Sequence, residues 1–274
     1  MLETILPALF AIFVWWFSTG LVLLLDGLPR TTFRWSVFIS TLLCLAAFFG
    51  LSQSSSQLTP TGAYCAFTCA LLVWAWHELT FLTGWLTGPR KRPSPAGIRG
   101  WARFSQAVAA ILWHELGILA SGVLVIAISW NAPNQVGVWT FLVLWAMRTS
   151  AKLNLFLGVR NLSEEFLPPH LAYLESFFRR RPMNLLFPFS VGVSTLLLVW
   201  LLIQVFDPLA PAGIAVGMML VATMLAMAIL EHFLLVLPLP STALWRWALK
   251  NRASPPLPVV AEKNPADESL IHAR

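Results

Sequence analysis

Residues 211–238 read PAGIAVGMMLVATMLAMAILEHFLLVLP, and the first twenty of them, Pro211 to Leu230, carry no charged side chain. A helix rises ~1.5 Å per residue, so about 20 apolar residues cover the ~30 Å hydrocarbon core of a bilayer. A surface helix of a soluble protein needs only one apolar stripe, and this segment is apolar on every face. It is a membrane span. Its single polar interruption, Glu231-His232, stands near its end.

Working outward, six further runs share this character, and spans are expected at roughly 4–25, 34–51, 61–86, 101–130, 136–158, 185–206 and 211–238. Composition agrees: 58% of the 274 residues are hydrophobic and 11% charged, against about 25% charged in a soluble domain. Lipid leaves only helices and closed barrels viable, and runs this uniform do not alternate as barrel strands do. The expected fold is all-α, a polytopic transmembrane helix bundle of about seven spans. Spans three and four exceed what a bilayer requires, so tilt or projection beyond the lipid is expected. The first run lacks a preceding basic cluster, which argues against a cleaved signal peptide. Gly213 and Gly217 form a small-xxx-small pair that would suit a partner helix.

The net charge of +6 resolves into loops. Arg30 and Arg34 flank the first loop; Arg90, Lys91, Arg92, Arg99 and Arg103 mark the third; Arg179, Arg180 and Arg181 mark the fifth; Arg246, Lys250 and Arg252 open the tail. The intervening loops carry at most Asp207. Such alternation is the positive-inside pattern and sets the N-terminus outside and the C-terminus in the cytoplasm of a bacterial inner membrane. It also removes the basic charge as a nucleic-acid signal. Residues 1–250 are expected to form the transmembrane domain. Within it, 159–184 is a cytoplasmic interfacial segment with Leu171, Leu174, Phe177 and Phe178 on helical spacing after the Pro168-Pro169 break. Residues 251–274, rich in proline and polar side chains, read as a disordered tail. Cys44, Cys65 and Cys69 lie in apolar runs with no metal or disulfide spacing.

Histidine and glutamate occur together: His77-Glu78, His114-Glu115 and Glu231-His232 within spans, and Glu165 five residues before His170. Ionisable groups in spans are costly and face the bundle interior or a wet cavity. Counting along each helix places the first three pairs ~8 to ~15 Å from the cytoplasmic ends of their spans, at overlapping depths. Span five adds Arg148 and Lys152, one turn apart on one face. Three readings stay open. Glu78, Glu115 and Glu231 could pair with Arg148 and Lys152 in a buried charge network. Alternatively His77, His114, His170 and His232, with Glu78, Glu115, Glu165 and Glu231, could ligate Fe, Mn or Zn, since imidazole and carboxylate suit these metals. Adjacent residues point ~100° apart on a helix, so one member of each pair would be the ligand. The third reading has the histidines ligate a tetrapyrrole, with Trp74, Trp76, Trp113 and Trp145 as a slot. Trp85, Trp101, Trp130, Trp139, Trp245 and Trp247 suit interfacial belts.

The string His77-Glu78-Leu79-Thr80-Phe81-Leu82-Thr83-Gly84, followed by Thr87-Gly88-Pro89-Arg90, then His114-Glu115, Pro133-Asn134-Gln135 and Trp139-Thr140-Phe141, resembles the photosynthetic complex assembly protein 2 family (PuhE) of purple phototrophic bacteria. The stretch 144–181, LWAMRTSAKLNLFLGVRNLSEEFLPPHLAYLESFFRRR, carries the resemblance furthest. The resemblance implies an inner-membrane protein that helps build the reaction centre and core antenna and influences bacteriochlorophyll supply. Implied partners are membrane lipid and photosynthetic reaction-centre subunits, light-harvesting subunits or pigment-synthesis proteins. It assigns no catalytic residue. A membrane metalloenzyme acting on a tetrapyrrole or another lipid-soluble precursor is the alternative from the residues themselves.

Overall fold

The protein is seen here as a computed structural model that describes residues 2–237 and 241–249. Its long helices are α1 (Leu2–Asp26), α2 (Phe33–Ser55), α3 (Pro60–Leu82), α4 (Gly100–Ile128), α5 (Val136–Leu157), α6 (Leu186–Val205) and α7 (Ala212–Leu234), with a short α8 (Arg246–Leu249) after them. No strand occurs among the described residues; Val159 and Arg180 form one isolated bridge. The tail at 251–274, expected to be disordered, lies outside the described residues.

Local chemistry sets the helix ends. The Thr59 side chain accepts from Gly62 N at 3.1 Å and Pro60 occupies the first turn, so α3 starts on a capped, proline-primed turn. At its other end Gly84 takes φ +80°, Gly84 N bonds Phe81 O and Trp85 N bonds Thr80 O. This left-handed glycine stop ends α3 at Leu82, before the apolar run itself ends at 86. Similarly, α7 ends at Leu234, where Asn161 Nδ2 donates to the carbonyls of Leu234 and Leu237.

Six helices, all of the long ones except α5, are long and apolar enough to cross a membrane. The seventh expected span, α5, is equally long at 22 residues, but Arg148, Ser150, Lys152 and Asn154 dilute its apolarity. Its neighbours explain that composition. α3 packs on α1, α2, α4, α5 and α7, and α7 on α1, α3, α5 and α6. These two therefore form the centre, 67% and 56% buried over their apolar windows, against 17–22% for the other four. α5 lies in the groove between them. The outer helices present Phe38, Leu42 and Phe49 of α2 and Phe189, Leu196 and Ile203 of α6 to their surroundings.

Between apolar helices, lipid removes most of the hydrophobic driving force, so close packing decides association. Gly217 lets α7 approach Val136 and Ala63, and Gly213 seats α7 against the backbone of Leu58 and Thr59. The small-xxx-small pair is thus used inside the chain and is not left for a partner helix. Trp245 Nε1 donates to Trp16 O at 3.1 Å and Trp247 fills the space beside Gly20, so both pack on α1.

The loop after α3 folds back along α4. Gly88 lies against the backbone of Ala109 and Ala110, and His114 N donates to Thr87 O at 2.9 Å. The first turns of α4 consequently project past the end of α3. Arg103 on this projection is buried, stacks on Phe156 and donates to the carbonyls of Phe156 and Phe177. The segment after α5 then folds beneath the bundle. Its residues Pro169–Phe177 form tight 3-10 turns where an amphipathic α-helix is expected, and Leu171, Leu174 and Phe177 are buried against α3 and α4 rather than offered to lipid.

Candidate functional site

Three helices aim carboxylates at the two cations of α5. Glu78 of α3 meets Arg148 at 2.9 Å, and Glu115 of α4 meets Lys152 at 2.6 Å. Glu231 of α7 accepts from Trp15 Nε1 of α1 at 3.2 Å, and its charge also acts on Arg148. The Arg148 side chain keeps 43% of its surface open although Glu78 beside it keeps 15%. Charged groups at this depth are tolerated where they pair with each other or meet water.

The histidines divide into three environments. His77 and His114, on α3 and α4, stack edge to face with ring centroids 6.2 Å apart, and both are almost wholly buried. His77 Nε2 lies 2.9 Å from Ser121 Oγ, and Gly117 leaves room for its ring. His77 Nδ1 and both nitrogens of His114 have no hydrogen-bond partner. His232 stands apart from this pair. Its Nδ1 donates to Ala228 O and its Nε2 lies 2.9 Å from Ser150 Oγ, which links on to Ser190. His170 sits at the end of α3, where Nε2 donates to Leu82 O at 2.8 Å. Glu164, the neighbour of Glu165, lies 3.4 Å from Arg180.

A second set of buried polar atoms adjoins the histidine pair. Thr87 Oγ1 and Tyr173 Oη are buried without a bond of normal geometry. Burial raises the pKa of the Tyr173 hydroxyl above its ordinary value, with the nearby Thr87 hydroxyl acting in the opposite direction, so Tyr173 remains a donor at neutral pH. Both residues line a cleft of about 270 Å³ with Arg30, Phe33, Lys91, His170 and Leu171. Sequence reasoning missed Thr87, Ser121, Ser150 and Tyr173, because a hydroxyl carries no signal until the fold buries it. It also missed Asn154, which is fully buried and receives Asn184 Nδ2 at 3.0 Å, tying α5 to the start of α6.

A structural or catalytic zinc site takes three or four protein ligands, and among the described residues no group of three or more His, Cys, Asp or Glu converges on one point. Glu78 and Glu115 are engaged by cations, while His170 and His232 hold other partners.

No solved structure matches the chain. A relative from Rhodobacter capsulatus, named "Uncharacterized 30.4 kDa protein in puhA 5'region", is 39% identical over 264 residues, which span 95% of this chain and 96% of the relative. The family described as "Protein of unknown function (DUF3623)" matches residues 1–256. With the match running through all seven long helices and the relative matching end to end, the chain belongs to the DUF3623 family.

Proposed function

We propose that the protein is a membrane assembly factor of the PuhE type for the photosynthetic reaction centre and core antenna, acting on bacteriochlorophyll supply or insertion. One observation carries this reading: the full-length relative is named for its place in the puhA 5′ region, a photosynthesis-gene setting. The geometry supports a holding role over catalysis. The polar groups at the centre mostly satisfy one another across helices, while α2 and α6 offer long apolar faces to lipid or to nascent reaction-centre, light-harvesting or pigment-synthesis partners. In this reading α5 also crosses the bilayer, giving seven spans in a bacterial inner membrane with the N-terminus outside and the basic end of the bundle in the cytoplasm. Deleting the gene in a phototrophic host tests it. Core-complex absorption should fall while respiratory growth is unchanged, and unaltered spectra would count against the assignment.

The alternative, a membrane metalloenzyme acting on a tetrapyrrole or other lipid-soluble precursor, keeps one favouring observation, the unpartnered nitrogens of His77 and His114. Elemental analysis of the purified protein decides it: stoichiometric Fe, Mn or Zn would support that reading, and its absence would oppose it.

A further inference from the structure

The cleft beside α3 has features that the assembly reading does not use. It lies where α2 begins and α3 ends, the level at which apolar helices give way to polar loops. Its wall combines two cationic side chains, Arg30 and Lys91, with the hydroxyls of Thr87 and Tyr173 and the apolar surfaces of Phe33 and Leu171. Thr87 is 2% exposed, and its hydroxyl and that of Tyr173 lie near each other without either closing a hydrogen bond of normal geometry. Buried hydroxyls without partners are rare in folded chains and mark places where water or a ligand supplies the missing acceptor.

A helix C-terminus ordinarily repels anions, because its last carbonyls are unpaired. Here they are already occupied. Phe81 O accepts from Gly84 N, Thr80 O from Trp85 N and Leu86 N, and Leu82 O from His170 Nε2. The negative end of α3 is therefore covered, and Lys91 touches it only through a 3.4 Å contact with Gly84 O. Anion-binding chemistry dominates the cleft.

We propose that this cleft binds the phosphate oxyanion of an amphiphile. Arg30 and Lys91 supply the counter-charges, Thr87 and Tyr173 donate hydrogen bonds, and Phe33 with Leu171 carries the first carbons of the apolar part. At about 270 Å³ the cleft lies just below the ~300–1,000 Å³ of drug-sized pockets, which suits a headgroup and excludes a macrocycle. The other basic hollow, about 810 Å³ beside Arg160, Arg180 and Arg181, has no buried unpartnered group on its wall, and its Arg180 lies 3.4 Å from Glu164. It serves as the control.

The test uses full-length protein stripped of lipid in a neutral detergent, titrated with short-chain phosphatidylglycerol and followed by native mass spectrometry. One lipid should bind per chain. Arg30→Gln and Lys91→Gln should each weaken binding by about tenfold, Lys91→Arg should restore it, and Arg180→Gln should leave it unchanged. Tyr173→Phe removes an oxygen whose nearest polar neighbour is the Thr87 hydroxyl and which closes no bond of normal geometry, so the protein stays folded while binding falls by about three- to tenfold. Inorganic phosphate is then added as competitor. Displacement would show that the oxyanion alone is recognised, so that a soluble phosphate ester could be the source; retention of the bound lipid would assign the source to the membrane. Failure of wild-type protein to bind either probe would overturn the proposal. So would wild-type binding by Tyr173→Phe together with Lys91→Gln, or an equal loss in Arg180→Gln.

Discussion

Glu78 and Arg148 show how a single pair can control a membrane bundle. Their 2.9 Å contact links α3 to α5, with Glu78 largely enclosed and Arg148 partly open. Neutralising Glu78 leaves the guanidinium with a weaker partner, and an unpaired charge at such a site costs at least about 2.5 kcal/mol. Glu78→Gln should therefore lower protein abundance and the thermal midpoint of the purified protein. Glu78→Leu combined with Arg148→Leu should recover part of that loss, because it removes both charges together. A double variant no better than the single one would show that the pair does not act as a unit. His114 makes the opposite case. Both of its nitrogens are buried without partners, so an apolar side chain of similar size should fit at least as well. We expect His114→Leu to keep or raise abundance in membranes while assembled core complex falls. Lower abundance would mean that the ring holds a structural water and serves stability alone.

At the scale of elements, the fold depends on where backbones touch. Gly88 brings the loop after α3 onto α4, and a Cβ there would come within 2.2 Å of Ala109 O and 2.5 Å of Ala110 C. Neither is a side-chain tip that can swing away, so Gly88→Ala should cost about 1–3 kcal/mol or more through overpacking. At Gly192 on α6, by contrast, an added Cβ would meet nothing within 4 Å. The matched change Gly192→Ala should leave stability equal or slightly raised, since alanine favours a helix over glycine by about 1 kcal/mol. Comparing thermal midpoints of the two variants checks the claim, and equal losses would refute it. The same loop positions Thr87 and the cleft, so damage at Gly88 should also reduce phosphatidylglycerol binding.

At the scale of the whole molecule, six helices are long and apolar enough to cross a membrane, and α5 packs against the two central ones. Reporter fusions settle its path. Periplasmic activity is expected after residues 56 and 133 and cytoplasmic activity after residues 95 and 262. A cytoplasmic signal at residue 133 would end the seven-span reading. Much of this architecture could be read directly from the chain. A run such as Pro211–Leu230 can lower its free energy only in lipid or in a core, and a backbone in lipid must satisfy its own hydrogen bonds as a helix. Element type and approximate position follow from that local requirement. So does the grouping of Glu78, Glu115 and Glu231 as the acids available to Arg148 and Lys152, since charges in spans need partners. Which acid meets which cation was decided by the rotation of four helices about their axes, and apolar runs with no stripe do not encode rotation. The histidines show the same division. Counting along the chain gives an overlapping expected depth to His77, His114 and His232, yet only packing placed His77 against His114, sent His232 to Ser150 and set His170 on the end of α3. The cleft with Thr87 and Tyr173 belongs wholly to the tertiary structure, because it joins residues far apart in the chain whose hydroxyls matter only once burial has taken away their water.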